Sequence, residues 1–161
     1  MSFVTLNRHS LIVLFVLLGF AMNTNAKVLI MNEDEAALYS RQRVLAAAGF
    51  SVLTTKTRNQ LFDILTQQAI DVVLMETCLP GADGPELVGA IKAQWPDTQI
   101  VVANESASLA DAKEAIRLGA YDYLVKPVLF AEICGAVQRA AMQKKWALHR
   151  IPGRVSIPSI H

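Results

Sequence analysis

The stretch Asp71–Leu87, DVVLMETCLPGADGPEL, passes from an apolar run through a Pro-Gly loop into a segment that starts a helix. IDVVLM (70–75) is apolar almost throughout, the pattern of a strand covered on both faces. Gly84 closes the loop, and Pro85 stands at a favoured first-turn position of PELVGAIKAQW. One carboxylate, Glu76, sits where the apolar run stops. An acid in that place either reacts or holds a position, and its companions decide which.

Outward from this stretch, short apolar runs alternate with amphipathic segments. KVLIM (27–31) predicts a first buried strand, and DEAALYSRQRVLAAAG a helix with Leu38, Arg41, Val44, Leu45 and Ala48 at helical spacing and Gly49 as its stop. FSVLTT (50–55) alternates more loosely, as suits a strand nearer a sheet edge. Thr57 can cap RNQLFDILTQQ, with Leu61, Ile64 and Leu65 inward. TQIVVA (98–103), SLADAKEAIRLGA with Gly119 as its stop, YDYLV (121–125) and LFAEICGAVQRAAMQKK complete the series. Strict strand-helix alternation implies parallel pairing through right-handed crossovers, hence an α/β fold with a doubly wound five-stranded parallel sheet in three layers. Ligands of such sheets collect outside the carboxyl ends of the strands.

The chain has 161 residues, one domain's worth, with 53% apolar residues and a formal charge of +1. That balance excludes a basic nucleic-acid binder and an acidic disordered tail. Cys78 and Cys134 form neither a disulfide framework nor a zinc spacing and read as reduced, buried thiols. His9, His149 and His161 lie in the terminal segments. Residues 1–26 stand apart from the rest. Arg8 and His9 precede LIVLFVLLGFAM, a run shorter than the ~20 residues that span a bilayer. This extension reads either as a signal-like segment or anchor, or as residues upstream of a true start at Met22. The domain is expected over 27–145, with 146–161 an unstructured tail.

At the predicted strand ends lie Asn32, Glu33 and Asp34, then Glu76, then Asn104 and Glu105, and finally Lys126 before Pro127. The doubly wound sheet would gather these acids, an amide and one amine at a single edge, where the lysine would hold a carboxylate ionised.

In these residues, and in LPGADG and AIRLGAYDYLVKP, residues 27–145 resemble the response-regulator receiver domains of bacterial two-component signalling. The resemblance implies the flavodoxin-like (βα)5 architecture and a site in which an aspartate on strand three accepts a phosphoryl group from a histidine. It places Glu76 at that phosphoacceptor position, Asn32 and Glu33 at an acidic pair, Asn104 and Tyr123 at the switch positions, and Lys126 at the family's lysine. Any Mg²⁺ would be held by Glu33, Glu76 and the backbone carbonyl of Cys78. The match is uneven, because glutamates stand where aspartates are usual. Glutamate adds a methylene of reach, and a displacement near ~1 Å costs about 10²-fold in a positioned reaction. Mg²⁺ is poorly prescribed by two lengthened acids. Asn104 could donate through its amide to Glu76, closing a permanent network with Lys126.

Glu76 is therefore read as holding a position in a degenerate receiver. Such a module is not an enzyme and works by protein contact, independently of phosphorylation, through the fourth helix, fifth strand and last helix. Its partner would be a histidine kinase or a downstream regulator, with no nucleic acid and no small-molecule substrate. The alternative is a conventional receiver phosphorylated at Glu76 with Mg²⁺. An alternative of another class, an FMN carrier or small hydrolase on the same fold, is disfavoured by the acidic loop after strand one, which would repel a phosphate. The signalling reading implies a cytoplasmic location, or membrane attachment or export if residues 1–26 are retained.

Overall fold

Strands β1 (Lys27–Met31), β2 (Ser51–Thr55), β3 (Val72–Thr77), β4 (Gln99–Asn104) and β5 (Asp122–Val125) pair in parallel in the order β2-β1-β3-β4-β5. The structure, a computed structural model, describes residues 25–77, 83–105 and 108–149. Helices α1 (Glu35–Ala47), α2 (Arg58–Gln67), α3 (Asp83–Gln94), α4 (Leu109–Arg117) and α5 (Phe130–His149) supply the crossovers. The doubly wound three-layer sheet expected from the sequence is present. Strand order reverses between β1 and β3, so the carboxyl ends of these two strands flank the crevice where such sheets place their sites.

Side-chain alternation along the strands divides the core in two. Val28, Ile30, Val72, Leu74 and Val101 pack under α1 and α5 against Leu38, Leu45, Ile133 and Val137. Leu29, Met31, Val73, Met75, Ile100 and Val102 pack on the other face against Leu61, Leu65, Val88, Ile91 and Ala115 of α2, α3 and α4. Burying an aliphatic side chain of this size contributes ~1.5–3 kcal/mol, so these two layers hold the strand ends in fixed register.

The helix starts follow their caps. Asp34 accepts from the backbone N–H of Ala36, Thr57 from that of Gln60 and Ser108 from that of Asp111. Gly49 and Gly119 adopt φ of 95° and 107° just after α1 and α4, as a glycine stop requires.

Two boundaries differ from expectation. Strand three starts at Val72 rather than Ile70 and continues past the apolar run to Thr77, so Glu76, expected at the strand end, is a paired strand residue opposite Ala103. The last helix continues to His149, so the expected tail from 146 loses its first residues to α5. KKWALH holds good helix formers and no breaker before Pro152, which explains the extension. Residues 1–24, the carbonyl of Cys78, and residues 150–161 lie outside the described residues.

Candidate functional site

Glu76 follows Val72 and Leu74 on the face of β3 covered by α1 and α5, because strand side chains alternate with a period of two. Its side chain is fully buried. A buried carboxylate requires charged or hydrogen-bonding partners, and two cations provide them. Arg41 Nε lies 2.7 Å from Oε1 and an Arg41 terminal nitrogen 3.4 Å from Oε2. Lys126 Nζ lies 3.2 Å from Oε2. Arg41 and Lys126 are 15% and 17% exposed, so each cation covers the carboxylate while keeping an edge in water.

Arg41 reaches this position from the inward stripe of α1, one turn from Leu38 and one from Leu45. Its guanidinium lies 4.7 Å from the ring centroid of Phe130, the first residue of α5, an arrangement that adds cation–π attraction and restricts its rotation. Lys126 follows β5 directly, and its backbone N–H donates to the carbonyl of Asn104 at 2.8 Å. The ion triad thus ties α1, β3 and the end of β5 together.

The other residues expected at the site divide between the two faces. Asn32 is buried, one step past the Met31–Met75 register pair and on Glu76's face of the sheet. Its side-chain oxygen accepts from the Asp34 N–H at 2.9 Å. Glu33 is exposed, and the exposed Asp34 carboxylate caps α1. Asn104, two residues past Val102 on β4, and Tyr123, paired with Val102 from β5, face α3 and α4, where they line a cavity of about 10 Å³ with Gly84, Asp111 and Ala115. That volume is at the lower limit for a single water molecule. Cys134 lies on α5 nearby; burial pushes its thiol above the ordinary range, outweighing the opposing pull of the Arg41 charge. A thiol so shifted is a weak nucleophile.

Helical spacing alone puts Arg41 in the inward stripe of α1 and gives it no role at the site. An arginine among inward-facing aliphatics is itself the signal, since a buried cationic head needs an anion. The period-two alternation then puts Glu76 on the face that α1 covers.

A divalent cation does not fit this donor set. An ion on Oε2 would share that oxygen with Lys126 Nζ at 3.2 Å and an Arg41 terminal nitrogen at 3.4 Å, two like charges that repel it.

Comparisons with known proteins agree with the fold. The family profile described as the response regulator receiver domain matches residues 28–138. The DNA-binding transcriptional regulator NtrC of Klebsiella pneumoniae is 33% identical over 111 residues, 69% of this chain and 24% of that protein. The transcriptional regulatory protein PrrA of Mycobacterium bovis is 30% identical over 115 residues, 71% of this chain and 49% of that protein. The chain therefore spans about a quarter to a half of the length of these curated relatives. A crystal structure of a response regulator receiver domain protein from Clostridium thermocellum superposes with a TM-score of 0.70 at 27% identity, covering 76% of this chain and 98% of that one. The chain belongs, through residues 28–138, to the response-regulator receiver domain family and carries a receiver module of two-component signalling.

Proposed function

We propose that this receiver acts by protein contact without being phosphorylated, with Glu76 serving as a fixed internal anion. The observation that carries the reading is the full burial of the Glu76 carboxylate under Arg41 and Lys126. A phosphoacceptor must present a free oxygen in line with the incoming phosphorus. Here Arg41 approaches both oxygens, Lys126 shares one of them, and the added methylene of glutamate moves both from where an aspartate would hold them.

The partner is proposed to be a histidine kinase or a downstream regulator that docks on α4, β5 and α5. Ile116 and Val125 are 48% and 44% exposed on this side and supply apolar contact area. The relatives named as transcriptional regulators favour a regulatory protein as that partner. The cytoplasm, where such kinases meet their receivers, is the proposed location. Among the described residues no helix is long and apolar enough to cross a membrane.

The second reading, phosphoryl transfer to Glu76 with Mg²⁺, is favoured by Lys126, which stands 3.2 Å from the carboxylate as a phosphoryl-binding lysine would. Intact-mass analysis after incubation with acetyl phosphate and MgCl₂ separates the two. The contact reading expects no added phosphoryl mass. Stoichiometric addition that disappears in Glu76→Gln overturns it.

A further inference from the structure

We propose that Arg41 stands in for a divalent cation, so that the chain neutralises its own strand-end carboxylate and keeps metal ions out. This deepens the phosphorylation-independent reading and rests on it, because a receiver that never handles a phosphoryl group has no need of an exchangeable ion.

Charge placement is the first support. One described carboxylate, Glu76, is buried at the site, and two cationic heads lie within 3.2 Å of its oxygens. Its row neighbour on β1 is Asn32, an uncharged amide whose oxygen is already engaged by the Asp34 N–H. Asp34 caps α1, and Glu33 is exposed to solvent rather than buried beside Glu76. A metal entering at the Glu76 carboxylate would face two like charges already seated on its oxygens.

Geometry is the second. A guanidinium is planar and presents paired donors that match the two oxygens of a carboxylate, whereas Mg²⁺ demands a near-octahedral oxygen shell. Arg41 meets the carboxylate from the side and is backed by the Phe130 ring, so it is built into the wall of the site. Arg41 comes from a helix that lies across the buried face of the sheet, and its side chain therefore occupies the space beside Glu76 without help from a loop.

The test uses the full chain, ¹⁵N-labelled, titrated with MnCl₂ to ~1 mM and followed by paramagnetic broadening of amide signals. Wild type is expected to show no selective broadening at Asn32, Glu76 and Ala103. Arg41→Met keeps the length and apolar stem and removes the charge; it should broaden those amides at a Mn²⁺ concentration at least ~10-fold below any effect in wild type. Arg41→Lys retains a charge and should exclude Mn²⁺ as wild type does. Selective sub-millimolar broadening in wild type overturns the assignment, as does an Arg41→Met protein that behaves like wild type or an Arg41→Lys protein that binds. The wild-type and lysine arms decide the matter if the methionine variant does not fold. Mn²⁺ binding by wild type without phosphoryl uptake from acetyl phosphate sinks the Arg41 assignment alone. Phosphoryl uptake at Glu76 sinks the phosphorylation-independent reading whatever Mn²⁺ does.

Discussion

Arg41 reaches across 35 positions of sequence to place its Nε 2.7 Å from Oε1 of Glu76, joining the first helix to the central strand through a carboxylate with no solvent exposure. Removing one member of a fully buried ion pair costs ~3–5 kcal/mol, because the other is left uncompensated. Here the cations retain an edge in water, so Glu76→Gln should cost about 2–3 kcal/mol by urea unfolding at pH 7. A double-mutant cycle of Arg41→Met and Glu76→Gln should give a coupling energy above ~1 kcal/mol. The same cycle on the exposed pair Lys56 and Glu35 should give none that is measurable, since solvent screens both groups. Equal couplings in the two cycles would contradict the burial argument.

Much of this arrangement is legible in the sequence, for stated physical reasons. Thr57, Gly49 and Gly119 act locally, through caps and backbone conformations that involve only their own turns, and the structure uses each as read. Lys126 could be placed because it follows a strand whose end is marked by Pro127. Arg41 could be assigned to the inward stripe of α1, but its partner lies on another element, and only the packing of α1 over β3 brings the two together. The end of β3 is blurred in the sequence for a related reason. Hydropathy stops at Met75, while the backbone ladder continues through Glu76, whose charge is met by Arg41 and Lys126. The acids at the end of β1 read as one cluster in sequence, yet one caps a helix and another faces water.

The two positive-φ glycines should respond differently to alanine. At Gly49 a Cβ would meet nothing within 4 Å, so Gly49→Ala should cost only the conformational term, about 1 kcal/mol. At Gly119 a Cβ would lie 3.0 Å from Cγ of Lys92, whose ammonium donates to the carbonyls of Pro96 and Thr98. Gly119→Ala should therefore cost more, about 2 kcal/mol or above, in the same urea assay. Similar losses for both would show that Lys92 yields freely.

Lys92 also sets a pH response. Burial holds its ammonium below the ordinary lysine range; Asp97 opposes this and Lys144 adds to it. Between the folded value and the ordinary ~10.4 the unfolded chain binds more protons at this site, so its contribution to stability rises with pH across that window. The difference in unfolding free energy between wild type and Lys92→Met should shift in favour of wild type as pH increases toward 10. A pH-independent difference would remove burial as the controlling cause.

The most direct test of the central claim, that Glu76 is a permanently neutralised anion, is an amide NMR spectrum of the full chain before and after acetyl phosphate with MgCl₂. The account predicts that the signals of Asn104, Tyr123 and Lys126 stay where they are in wild type. Shifts at those three residues that vanish in Glu76→Gln would show a working phosphoacceptor and contradict it.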